Sequence, residues 1–171
     1  MPVLPSLQRS SFNKDLRNRH LIYDYAAQDA DRNQEKWRYE MWLYNEDRIN
    51  YPIHRGPMAG RVAFQSATYQ CIRPGELWQC NWLETGTICS LVFDIAQKRT
   101  TTLIAFCNGD WEQNKAAHGD RRNQEDLARM RALGKIGTQV DRILLSEQAE
   151  ILEDFHGPGN LKQIEMDLPT L

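Results

Sequence analysis

The sequence predicts a mostly β protein, a single antiparallel up-and-down barrel with one late α-helix. Three observations carry this. From Leu21 onward the chain divides into short runs rich in β-branched and aromatic residues, several with apolar and polar positions in alternation. Turn chemistry separates these runs at Asn45-Glu46-Asp47, Pro74-Gly75, Thr85-Gly86 and Lys98-Arg99, with no clear long crossover between them. About seven or eight such strands are enough to close a barrel around one small ligand, and closure removes the exposed edges of an open sheet. A β-sandwich is the alternative, and the short sequential turns favour the barrel.

Residues 1–20 mix Pro, Ser, Asn and charges without periodicity, which predicts a flexible N-terminal arm ahead of a single β-barrel domain over 21–171. Leu21–Ala26 is the first strand. Ala27–Lys36 is polar throughout and reads as a loop. Trp37–Asn45 follows, with Trp37, Tyr39, Met41 and Leu43 on one face. Arg48–His54 contains Pro52, which lacks an N–H and so suggests an edge or a bulge. Gly60–Arg73, Leu77–Glu84, Thr87–Gln97 and Thr100–Cys107 continue the meander. Asn108–Asp120 is polar and turn-rich. Asn123–Leu133 reads as a helix capped by Asn123, with Leu127, Met130 and Leu133 on one face and Gly134 as its stop. Val140–Phe155 is the last strand, though its Glu-rich middle also tolerates a helix.

Composition narrows the function. Hydrophobic residues make up 41% and charged residues 26%, which suits one globular domain and argues against wholesale disorder. The net charge of -2 predicts neither nucleic acid nor an anionic membrane as a partner. Cys71, Cys80, Cys89 and Cys107 form no CxxC pair and lie at no metal-ligand spacing from a His, so reduced, mostly buried thiols are expected. The opening Met1-Pro2-Val3-Leu4-Pro5 lacks the apolar region of a signal peptide, and no run reaches the length of a membrane span. A cytoplasmic location is the expectation.

Residues two apart on a strand share a face. Tyr23 and Tyr25 therefore point one way, as do Trp37 and Tyr39, and as do Trp78, Cys80, Trp82 and Glu84. If these are the inner faces, the lumen holds phenols, indoles and a carboxyl group, with Arg61 at a strand start after Gly60. Each residue taken singly also fits a structural role, and Tyr44, Tyr51 and Tyr69 are read that way.

The order of these motifs resembles the phenolic acid decarboxylase family. Tyr23-Asp24-Tyr25 is similar to its Tyr-x-Tyr, and Trp37-Arg38-Tyr39-Glu40 to its Trp-x-Tyr-Glu. Asn45-Glu46 with Ile49-Asn50-Tyr51, Ile53-His54-Arg55-Gly56, Gly60-Arg61 and Trp82-Leu83-Glu84-Thr85-Gly86-Thr87 continue the series. The resemblance covers residues 21–93, and Asn108–Gly137 reads as replacement material. It implies a lipocalin-like barrel, a homodimer, that decarboxylates 4-hydroxycinnamic acids through a quinone methide without metal or organic cofactor. It carries the functional positions onto Tyr23, Tyr25, Tyr39, Arg61 and Glu84. The resulting expectation places Glu84, Arg61 and Tyr39 in catalysis, with Glu84 as proton donor, and Tyr23, Tyr25, Trp37 and Trp82 against a small aromatic substrate. The same pocket also suits dehydration, isomerisation or cyclisation of a larger phenolic or polyketide-like metabolite. A non-catalytic carrier of the lipocalin type is a third reading.

Overall fold

Eight antiparallel strands close into a barrel in the computed structural model, which describes residues 6–28, 31–138 and 140–170. They are β1 (Arg19–Gln28), β2 (Gln34–Asn45), β3 (Arg48–Pro52), β4 (Arg61–Arg73), β5 (Leu77–Leu83), β6 (Ile88–Asp94), β7 (Arg99–Cys107) and β9 (Arg142–His156). Each strand from β1 to β7 pairs with its neighbour in sequence; β7 then pairs with β9, and β9 returns to β1. The two-residue β8 (Gly119–Asp120) lies parallel to the start of β4. The helices are α1 (Ser6–Asp15), α2 (Asn108–Glu112) and α3 (Gln124–Leu133), with a 3-10 turn at Asn114–Ala117.

The alternation in sequence becomes an inner and an outer face. β5 buries Trp78, Cys80 and Trp82, β6 buries Cys89, Leu91 and Phe93, and β7 buries Thr100, Thr102, Ile104 and Phe106. Burying each large apolar side chain contributes about 1.5–3 kcal/mol, so a one-residue slip of any strand forfeits several of them together. Asn123 caps α3 as its sequence predicts, its side chain accepting from the N–H groups of Glu125 (2.8 Å) and Asp126 (3.2 Å). The last segment is a strand rather than a helix, because its inward residues Leu145, Ala149 and Ile151 complete the barrel wall between β7 and β1. Pro52 lies in β3 between the Trp42–Asn50 pair and the Tyr39–Ile53 bridge, at the interruption of the ladder with β2, where a missing N–H is tolerated.

Two expectations are corrected. Within the expected flexible arm, Ser6–Asp15 is helical and β1 begins at Arg19. Phe12 and Leu16, four residues apart, are fully buried, and the Phe12 ring packs on Tyr69 (4.8 Å between centroids) and Trp78 (6.0 Å). Asp15 accepts hydrogen bonds from Gly75 N (2.7 Å) and Trp78 Nε1 (2.9 Å), which ties α1 to the β4–β5 turn. The second correction concerns the expected loop Ala27–Lys36. The β1–β2 ladder runs on to Gln28 opposite Gln34, through residues that are mostly exposed. Backbone pairing holds this extension, helped by Ala27 against the core and by the Trp37 indole donating to Glu35. Residues 1–5 of the expected arm and residues 29 and 30 of the expected loop lie outside the described residues.

All four cysteines are free thiols; Cys80, Cys89 and Cys107 are buried and Cys71 is half-buried. Among the described residues no helix is long and apolar enough to cross a membrane. On the outer face of β1 and β2, Glu40 bridges two histidines, with Oε1 2.5 Å from His20 Nε2 and Oε2 2.6 Å from His54 Nε2. His20 Nδ1 lies 3.1 Å from Gly157 O, and Phe155 stacks on the His20 ring.

Candidate active site

Arg61 opens β4 and Glu84 follows β5, so antiparallel pairing brings both to one end of the barrel, opposite the end held by α1. Both are almost wholly buried, and Arg61 Nη2 lies 2.5 Å from Glu84 Oε1. The turn carrying Glu84 is closed by Glu84 N to Thr87 O at 2.8 Å. It depends on Gly86, whose φ of +87° favours glycine and whose Cβ, if present, would meet Gly134 Cα at 2.7 Å. The C-terminal end of α3 thus docks directly on the backbone that positions Glu84.

The buried Arg121 also acts on Glu84, and Asp110 joins the charged cluster. It sits on α2, is 2% exposed, and places Oδ1 3.5 Å from Arg61 Nη1. The Thr87 hydroxyl donates to Asp110 Oδ2 at 3.1 Å. Arg61 Nη1 also donates to Ala117 O at 3.1 Å. Burial opposes the Arg61 charge, but Glu84 and Asp110 outweigh it and hold the guanidinium protonated. Burial pushes the Asp110 carboxyl above the usual range, Arg61 opposes the shift, and Glu84 adds to it.

These groups border a cavity of about 20 Å³, room for roughly one water. Of the residues expected in the site, Tyr23, Tyr39, Arg61, Trp82 and Glu84 line it. Tyr25 does not. It stands behind Tyr23 and Tyr39, with ring centroids 5.3 and 5.2 Å away, and its hydroxyl donates to Thr102 Oγ1 at 2.6 Å. Trp37 does not line the cavity either. Its ring lies over Gly56, where a Cβ would meet Trp37 Cγ at 2.6 Å, and it packs towards Trp111. Tyr25 thus backs the wall of the cavity.

Asp110 and Tyr51 are among the lining residues that the sequence reading did not place in the site. Asp110 lies in the polar stretch Asn108–Asp120, which has no periodicity to mark one residue as buried. Tyr51 received a structural reading, although it alternates with Ile49 and Ile53; all three are buried, and Tyr51 packs on Trp82 at 5.4 Å. The hydroxyls of Tyr23 and Tyr51 and the indole nitrogen of Trp82 are buried without a hydrogen-bond partner among the described residues. Burial raises Tyr23, Tyr39 and Tyr51 well above the ordinary phenol range, so all three remain neutral hydroxyls.

A closed antiparallel barrel with a buried Arg–carboxylate cluster and neutral phenols around a small cavity defines the class of protein. The family model described as phenolic acid decarboxylase (PAD) matches residues 14–161, and the chain belongs to that family. The match extends well past residue 93, so the segment Asn108–Gly137, read from sequence as replacement material, falls within the family's span. The chain is also similar to the phenolic acid decarboxylase PadC of Bacillus subtilis (strain 168), at 35% identity over 89 residues. That similarity covers 51% of this chain and 50% of PadC, about half the length of each.

Proposed function

We propose that this barrel decarboxylates a 4-hydroxycinnamic acid, or a related aromatic acid, non-oxidatively and without metal or organic cofactor. The observation that carries the reading is the set of unpaired polar atoms on the cavity wall. A buried donor or acceptor left without a partner costs about 1–3 kcal/mol. Tyr23, Tyr51 and Trp82 each present one beside the Arg61–Glu84 pair. A flat aromatic ligand oxygenated at both ends satisfies such a lining. The cavity is smaller than that ligand, so admission requires side chains to repack. Met41 and Met58, unbranched thioethers on the wall, are suited to do so.

The chemistry needs a proton at the alkene carbon next to the carboxylate and removal of the para hydroxyl proton. The product of these transfers is a quinone methide. Breaking the bond to the carboxylate then returns an electron pair to the ring and releases carbon dioxide. The vinylphenolate left behind regains the phenolic proton. In this reading the Tyr23 hydroxyl, backed by Tyr25, holds one oxygenated end of the substrate. Arg61 and Tyr39 hold or polarise the other end, and the carboxylates beside Arg61 do the acid-base work. Neutral phenols are donors to a developing anion, and the buried setting strengthens them.

The test is carbon dioxide release from para-hydroxycinnamate by the purified full chain in the presence of a chelator, with the product identified by mass. Loss of carbon dioxide supports the proposal. Loss of water, an isomerised product, or an unchanged ligand across a panel of hydroxycinnamic acids, with the protein shown to be folded, rejects it.

A further inference from the structure

Arg61 and Glu84 meet at 2.5 Å, yet the ladder between their strands does not reach them. It ends at the Ala67–Trp82 pair, short of both residues. Nearer the site, β3 pairs with one edge of β4, and β8 takes the edge that β5 has left, with Arg61 opposite Gly119 and Val62 opposite Asp120. Arg121, next in the chain, donates its backbone N–H to Val62 O at 3.1 Å. Ladder hydrogen bonds fix the relative position of paired strands, so another link has to do so where the ladder has ended.

Gln65 supplies that link. Its side chain is fully buried, and its surroundings set the orientation of the amide. The carbonyls of Leu83 and Thr170 call for the NH2 group, and the Arg121 guanidinium calls for the oxygen. Nε2 thus donates to Leu83 O at 3.2 Å, one residue before Glu84, and to Thr170 O, while Oε1 accepts from Arg121 Nη1. Arg121 Nη2 donates to Thr170 O at 2.7 Å. Arg121 therefore reaches β4 beside Arg61 through its backbone, and the end of β5 beside Glu84 through Gln65. It is fully buried, with its terminal nitrogens on uncharged oxygens. Burying a charge in this way costs stability that an apolar residue of similar volume would not.

We infer that Arg121 is a positioning residue for the Arg61–Glu84 pair, acting through Gln65 and the Leu83 carbonyl to fix the end of β5 against the start of β4. The inference rests on the decarboxylase reading above for its effect on turnover. Arg121 acts at a remove and not on the substrate. A misplacement of about 1 Å at reacting groups costs about a hundredfold in rate, so the link bears on catalysis through geometry alone.

Gln65→Met keeps the length of the side chain and removes its polar atoms. In the full chain it should lower kcat for para-hydroxycinnamate by about ten- to a hundredfold and leave KM nearly unchanged. Arg121→Met should do the same, and Arg121→Lys should recover part of the loss, because an ammonium still donates to Gln65 Oε1. The double variant Gln65→Met/Arg121→Met should be no slower than the slower single variant, since both changes break one link. Hydrogen exchange gives a readout apart from turnover. The Glu84 N–H bonds to Thr87 O just beyond β5, and its protection should fall in Gln65→Met while the paired amides between β5 and β6 keep theirs. Wild-type kcat, wild-type protection at Glu84, a uniform fall along β5, or additive losses in the double variant each overturn the inference. If Arg121→Met does not fold, Gln65→Met and Arg121→Lys decide it by the same two measurements. A local loss of protection at Glu84 in a protein that releases no carbon dioxide overturns the decarboxylase reading and leaves the positioning standing.

Discussion

Arg61 and Glu84 face each other at 2.5 Å, from the start of one strand and the end of the next, with almost no exposure to solvent. Removing one member of a buried pair leaves the other charge without compensation. Arg61→Met should therefore cost about 3–5 kcal/mol of stability, because it strands Glu84 beside Asp110. Denaturant unfolding monitored by circular dichroism checks this. A loss below about 1 kcal/mol, the range of an exposed pair, would show that solvent reaches the cluster.

Glu84→Gln is the milder change. It keeps the shape and a hydrogen-bonding oxygen while removing the charge. Turnover of para-hydroxycinnamate should fall by about a hundredfold or more with the fold preserved. Near-wild-type turnover would remove Glu84 from the chemistry.

Tyr51→Phe should separate stability from function. The hydroxyl it deletes has no partner among the described residues, so its removal should leave the midpoint of unfolding unchanged or raise it. The same variant should bind an aromatic acid more weakly, seen as a higher KM or a weaker titration signal. A marked loss of stability would mean that the hydroxyl has a partner in solution.

Two of the buried carboxylates, Glu40 and Asp110, should push stability in opposite directions as pH changes. Burial alone would raise Glu40, but the hydrogen bonds from His20 and His54 overcome it and hold the carboxyl below its ordinary range. A lowered native value gives stability that is present above the ordinary glutamate pKa and lost as pH falls through the native value. Asp110 has the reverse sign. Its raised native value gives stability present below the ordinary aspartate pKa and lost as pH rises through the native value. Melting temperature against pH should therefore show Glu40→Gln flattening the acid limb. Asp110→Asn should raise melting temperature above the pH at which native Asp110 ionises. An unchanged acid limb in Glu40→Gln would exclude the first effect.

Most of the barrel was legible because its walls repeat every two residues. Trp78, Cys80 and Trp82 mark an inner face by their spacing alone, and Glu84 follows on the same side. The N-terminal helix was not legible in the same way. Its one signal is Phe12 with Leu16 four residues on, and the surrounding Ser, Asn and Lys conceal it. The ends of β1 and β2 were missed for a different reason. Ladder hydrogen bonds hold them in place, and hydrophobic patterning does not report those bonds. Asp110 was out of reach of pattern reading, since its burial comes from α2 docking over the barrel end.

Helix α1 bears on how material moves through the protein. Phe12, Leu16 and Asp15 stopper the barrel where β4 turns into β5, far from Arg61. A vessel sealed at its base exchanges its contents through the other end. In the proposed reaction the incoming acid, the departing carbon dioxide and the vinylphenol would all travel past α2. Traffic of that kind is single-file. Product lingering in the passage excludes the next substrate, so a vinylphenol should inhibit competitively, and clearing the passage becomes a step that can limit the rate.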